Sequence, residues 1–123
     1  MKVVVLNFSH PLTGEVLEQV RQSVVARFGE AGELVKVEQV VIPCQLDLDA
    51  DLGPQCRSLF DSATEKSHSF NCDYVIVAPP ALGAAAFSLG EYFFADDWLV
   101  NFMWIKRNTA TPPQFVLGGI HWD

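Results

Sequence analysis

Val3, Val4, Val5 and Leu6 follow one another with no polar residue between them, and Asn7 ends the run. A strand with one wet face alternates apolar and polar side chains. An unbroken β-branched run instead marks a strand covered on both faces, which confines the chain to folds with helices on both sides of a sheet. The sequence also supplies the helices. Thr13 stands where it can cap one, and Leu17, Val20, Val24 and Phe28 recur at intervals of three and four before Gly29 and Gly32 close the pattern. Residues 34–42 (LVKVEQVVI) read as a second strand, stopped by Pro43, and residues 44–53 as a loop. Gly53-Pro54 opens a second helix whose inner stripe is Cys56, Leu59, Phe60 and Ala63. Residues 73–78 (DYVIVA) form a third strand that must leave the sheet at Pro79-Pro80, and a third helix runs from Leu82 to about Ala95. Residues 98–106 (WLVNFMWIK) and 115–120 complete the set as strands four and five. This order predicts an α/β fold: an open, mainly parallel sheet flanked by helices, in one domain spanning residues 1–123.

Half of the 123 residues are apolar, enough for a real core. The formal charge of −7 argues against a grip on long nucleic acid, which needs Lys and Arg to neutralise phosphates. A small anion held in a locally positive cleft remains compatible with it. Cys44, Cys56 and Cys72 are odd in number and form no C-x-x-C pair, which suits free thiols in a reducing compartment. The N-terminal apolar run is too short for a signal-peptide core, and no stretch approaches the roughly twenty apolar residues of a membrane span. The expected location is the cytoplasm, away from membranes.

Familiar chemical signatures are missing. There is no G-x-x-x-x-G-K-[ST] phosphate loop and no G-x-G-x-x-G fingerprint. His10, His68 and His121 lie far apart, so neither a metal nor any other cofactor is expected. Asp47, Asp49 and Asp51 begin like a calcium loop, but Gly53 comes one position late and Ser58 stands where the bidentate glutamate belongs. A solvated acidic loop is the better reading. Cys56 falls on the inner stripe of its helix, Cys72 precedes a core strand, and Cys44 has no visible catalytic partner.

Ligands of open α/β sheets sit beyond the carboxyl ends of the parallel strands. That rule gathers three segments on one rim. The first carries Asn7, Phe8, Ser9, His10 and Thr13, with an amide, hydroxyls and an imidazole that titrates near neutral pH. The second carries Pro79, Pro80, Ala81, Leu82, Gly83 and Ala84, small residues that let an anion approach the amides of a helix start. The third carries Lys106, Arg107 and Asn108, and the first two are the only Lys or Arg after Lys66. Arginine suits a bidentate phosphate grip, with lysine acting as a point charge. Each segment also has a plainer use: a capped turn, tight helix–sheet packing, and a solubilised strand end. Phe87, Tyr92, Phe93, Phe94, Trp98, Phe102 and Trp104 exceed what one face of a small sheet hides, so part of this set could form a two-fold interface or simply fill the core.

LNFSHPLT (residues 6–13), VAPPALGAAAF (residues 77–87) and the segment from Trp104 through Arg107 to Gly118-Gly119 together resemble a family of small CRISPR-associated proteins. It is counted among the putative ring nucleases of type III systems, related to the CRISPR-associated Rossmann-like (CARF) domains. The resemblance implies a Rossmann-like homodimer that binds a cyclic oligoadenylate across its two-fold axis, the four-nucleotide ring being the first expectation. Such proteins lower the signalling ligand by cutting it or by sequestering it. A metal-independent cut would use the ring's own 2′-hydroxyl and leave linear adenylates ending in a 2′,3′-cyclic phosphate. In that scheme Arg107 and the third-helix amides stabilise charge, Ser9 positions ribose or phosphate, and His10 is the candidate acid or base. No further base is evident. A protein that recruits a partner through its aromatic surface is the reading of a different class.

Overall fold

The computed structural model describes residues 1–29, 34–68, 71–96, 98 and 101–123, without the side chains of residues 67 and 68. Among the described residues, five strands form one sheet in the order β2-β1-β3-β4-β5. They are β1 (Lys2–Asn7), β2 (Lys36–Val41), β3 (Tyr74–Ala78), β4 (Asn101–Arg107) and β5 (Phe115–His121). β1 runs parallel to both β2 and β3, β3 runs parallel to β4, and only β5 is antiparallel. The helices are α1 (Gly14–Phe28), α2 (Leu52–His68) and α3 (Gly83–Ala95). The result is an α/β fold with an open Rossmann-like topology, as the strand–helix alternation predicts.

The unbroken run of β1 is explained by its two cores. Val3 and Val5 pack with Val16, Val20 and Val24 of α1 on one side of the sheet. Val4 and Leu6 point the other way, into Phe60 and Ala63 of α2 and Leu89 and Phe93 of α3. Phe93 is the hub of this second core, meeting Phe8, Phe60 and Trp98 edge-on at 6.3, 5.0 and 5.3 Å between ring centroids. Such aromatic pairs add about 0.5–1.5 kcal/mol each beyond the area they bury. Thr13 caps α1 as expected, its hydroxyl accepting from the Val16 N–H. Gly29 ends that helix with its N–H on the Val25 carbonyl, where a Cβ would press on the same oxygen. The predicted breaker at Gly32 lies outside the described residues.

Three strands are described from a later residue than the sequence suggests, β3 by one position, at Tyr74. Residue 35 stays buried without joining β2, which begins at Lys36. Of the expected start of the fourth strand, Trp98 is not in a strand, residues 99 and 100 lie outside the described residues, and β4 is described from Asn101. Trp98 belongs to the end of α3: its backbone N–H donates to the Phe93 carbonyl and its indole N–H to Asp96. A large aromatic with a polar handle settles where ring and N–H are both satisfied, and here that is the helix end.

The register of β4 matters for function. Ile76 pairs with Asn101 and Val77 with Phe102, so Ala78, the last residue of β3, is level with Met103. Residues 104–107 therefore continue past the end of β3 by about 13 Å at the rise of a strand. With β5 they form a hairpin that stands above the sheet's carboxyl rim.

Candidate functional site

The turn after β1 is built by two side-chain amides. Asn7 has no solvent exposure, and both of its amide hydrogens are engaged, on the His10 carbonyl (2.9 Å) and on Gln39 Oε1 (3.2 Å). Its Oδ1 accepts the Ser9 N–H at 2.9 Å. Gln39 of β2 completes the clamp by accepting from the Leu12 N–H and donating to the Leu12 carbonyl. Main-chain bonds tie the same turn to both neighbours: the Phe8 N–H donates to Ala78 and the Asn7 carbonyl accepts from Ile42. Asn7 and Phe8 are thus foundations of the loop, Phe8 being a core residue. What the loop offers to a ligand is Ser9, half-buried, and His10, exposed.

A cleft of about 470 Å³ opens beside these two residues. Its walls are Phe8, Ser9, His10 and Pro11, then Pro80, Ala81 and Leu82 after β3, and Pro43, Cys44, Gln45, Leu46 and Leu48 after β2. Among the described residues, no carboxylate and no lysine or arginine lines it. The third wall is absent from the sequence-based site. The topology could have found it, because β2 is parallel to β1 and must also end on this rim. Two of the three acids of the segment after Pro43, Asp47 and Asp51, are occupied in folding it. Asp47 Oδ1 accepts from the Asp49 N–H and Asp51 Oδ1 from the Gly53 N–H, while Gln55 brackets Asp47 through both its N–H and its carbonyl. Burial pushes the Cys44 thiol above its ordinary pKa, with Cys56 adding to the shift.

Leu82 is the N-cap of α3 and offers no side-chain acceptor to the helix amides. A Cβ on Gly83 would meet nothing, and Gly83 and Ala84 are both exposed at the start of α3, whereas Ala85 is buried. Pro79 does not line this cleft. It borders a second, larger groove of about 660 Å³ between α3 and the β4–β5 face, which is apolar and includes Phe87, Phe94, Phe102 and His121. Phe87 and Phe94 are 81% and 82% exposed, so the excess of aromatics is real surface.

The structure unites Ser9 and His10 with residues 80–82 but leaves Lys106, Arg107 and Asn108 out of the cleft's walls. All three stand on the hairpin above the rim. Arg107 lies over the Phe115 ring at 5.5 Å, and among the described residues neither cation forms an ion pair with a carboxylate. Asn108 Oδ1 accepts from the N–H groups of Ala110 and Gln114, so its oxygen closes the hairpin turn. Thr13 uses its hydroxyl as the α1 cap.

No family model, no curated protein and no solved structure matches this chain. The geometry must therefore carry the functional reading. A cleft that no acid lines among the described residues, a helix start without a side-chain cap and two cations without a carboxylate partner among those residues can hold an anion in a protein that is acidic overall. Among the described residues, no helix is long and apolar enough to cross a membrane.

Proposed function

We propose that this protein binds a cyclic oligoadenylate, the four-nucleotide ring first among them, across the rims of two copies, and so lowers type III CRISPR signalling in the cytoplasm. The observation that carries this reading is the cleft itself: in a chain of net charge −7, its walls hold Ser9, His10 and a helix start but, among the described residues, no carboxylate. The resemblance of LNFSHPLT and VAPPALGAAAF to the ring-nuclease family supports the choice of ligand. The apolar groove between α3 and β4 supports the dimer, because two copies could cover Phe87 and Phe94 there. The hairpin of each copy then brings Lys106 and Arg107 over a shared ligand.

Cleavage in such a cleft needs no metal. The 2′-hydroxyl oxygen of the ring attacks the adjacent phosphorus in line as the bond to the 5′-oxygen breaks, leaving a 2′,3′-cyclic phosphate and a 5′-hydroxyl. His10 takes or supplies the proton, Ser9 holds ribose or phosphate, and Arg107 with the α3 amides stabilises the phosphoryl charge. Sequestration is the second reading, favoured because no carboxylate among the described residues lines the cleft to orient His10.

One experiment tests the whole reading. Purified protein is incubated with cyclic tetra-adenylate and a chelator, and both binding and products are followed. Binding is expected, and its absence overturns the proposal. Linear products that disappear in His10→Ala while binding persists assign cleavage to the imidazole. An intact ring after long incubation assigns sequestration. Sedimentation of Phe87→Glu/Phe94→Glu tests the interface: a persistent dimer would remove this groove from it.

A further inference from the structure

We propose that Trp104 is a stacking platform for an adenine base at the rim, a role that rests on the adenylate reading above. Trp104 pairs with Gly119 and Ile105 with Leu117, so Gly118 is an extra residue, a bulge that sets two glycines opposite one tryptophan. The indole lies across both. A Cβ on Gly119 would sit 2.7 Å from Cζ2 and 2.8 Å from Cη2, and one on Gly118 would collide with Cδ1 and Nε1 at the other end of the ring system. Any side chain at either position would lift the indole. Glycine weakens a strand interior, so two in succession inside β5 call for a reason, and the close approach of this ring provides one.

The consequence is an aromatic ring with one face seated on the β5 backbone and the other turned outward, the residue being 50% exposed. Its height in the fold is that of the rim. Met103 is level with Ala78, so Trp104 is level with Pro79, where the chain turns toward α3. Side chains two apart share a face of a strand, which places Phe102 below Trp104 and Lys106 above it. Phe102 is itself stacked on His121 at 4.8 Å, and its ring lies 6.5 Å from that of Trp104. A flat π-face with a cation one side-chain step further along matches a nucleotide, with base on the ring and phosphate on the ammonium. Neither cation on this hairpin is ion-paired with a carboxylate among the described residues, so the charge at the platform's edge is complementary to a phosphate.

Cyclic tetra-adenylate binding by calorimetry tests this with four variants. Trp104→Ala should weaken binding by about tenfold or more, the usual consequence of losing one stacked base, and Trp104→Phe should retain most of the affinity. Gly119→Ala keeps the tryptophan but displaces it, and should lose affinity as Trp104→Ala does. Arg107→Ala reports on the phosphate grip separately. Unchanged affinity in Trp104→Ala, alongside a loss in Arg107→Ala, overturns the platform and leaves the ligand reading standing. Conversion of a dimer to a monomer by Trp104→Ala also overturns it, since the ring would then be an interface residue. If the wild-type protein ignores the ring, the ligand reading fails, and the platform is judged with millimolar AMP on ¹⁵N-labelled protein. The indole N–H resonance missing from Trp104→Phe must shift, and a resonance that stays in place overturns the proposal.

Discussion

The turn after β1 and the turn after β4 are each organised by an asparagine, and the two asparagines face opposite demands. Asn7 Oδ1 accepts the N–H of Ser9, two residues on, just as Asn108 Oδ1 accepts that of Ala110. Asn7 is fully buried, and Gln39 of β2 and Ala78 of β3 hold its turn from both sides. Asn108 is half-buried, and the partners found for it belong to the hairpin it closes. Ser9 and His10 are thus presented on a frame fixed by three strands, whereas Lys106 and Arg107 lie past the end of β3, on a hairpin tied to the body lower down, where the Leu117 N–H donates to Gln19 of α1. A fixed group suits positioning of a reacting atom; an exposed cation suits capture and release of an anion.

The sharpest way to break this contrast is Asn7→Ala. It leaves the Ser9 N–H, the His10 carbonyl and part of Gln39 without partners in a part-buried place, where each such loss costs about 1 kcal/mol or somewhat more. Urea unfolding should show a loss of about 3 kcal/mol. A loss below about 1 kcal/mol would mean that water replaces the network, and that the first turn is no more rigid than the second. Gln39→Ala removes the outer half of the clamp and should lower stability by about 2 kcal/mol. It should also speed amide exchange at Leu12, and weaken ligand binding if the turn must be held. Asn108→Ala should cost about 1 kcal/mol or less, because its neighbours are close to solvent. Equal effects from the two asparagine variants would remove the distinction.

The fold was legible wherever burial on both faces left a mark. Residues 3–6 and 74–78 could be nothing but central strands, and the stripe of Val20 and Val24 could only face a sheet. Trp98 misled because an aromatic, β-branched run looks like a strand until its indole N–H finds Asp96. Gln39 was invisible as a functional residue. In sequence it is one polar position among others in β2, and only the pairing of Val5 with Gln39 puts its amide on the α1 side, beside Leu12. The separation of Arg107 from the cleft was equally hidden, because it follows from the register of β4 on β3, which no local pattern encodes. The paired glycines of β5 were a readable signal whose meaning required knowing that Trp104 lies opposite.

The smallest expected effect concerns two thiols at opposite ends of the sheet. Cys44 lines the rim cleft, and Cys72 precedes β3 at the other end. Burial raises the pKa of both above the ordinary thiol value. A raised pKa means a smaller thiolate fraction at any given pH, so both should react slowly with iodoacetamide at neutral pH and faster as the pH rises through and beyond the ordinary thiol range. Cys56 is fully buried and should stay silent in the folded protein. Cyclic tetra-adenylate should then slow alkylation of Cys44 and leave Cys72 unchanged, read by peptide mass mapping. Equal protection of both would point to a global tightening of the fold. Protection of neither, with binding intact, would move the ligand away from the fixed turn and onto the hairpin, which would leave Ser9 and His10 as architecture and Lys106, Arg107 and Trp104 as the site.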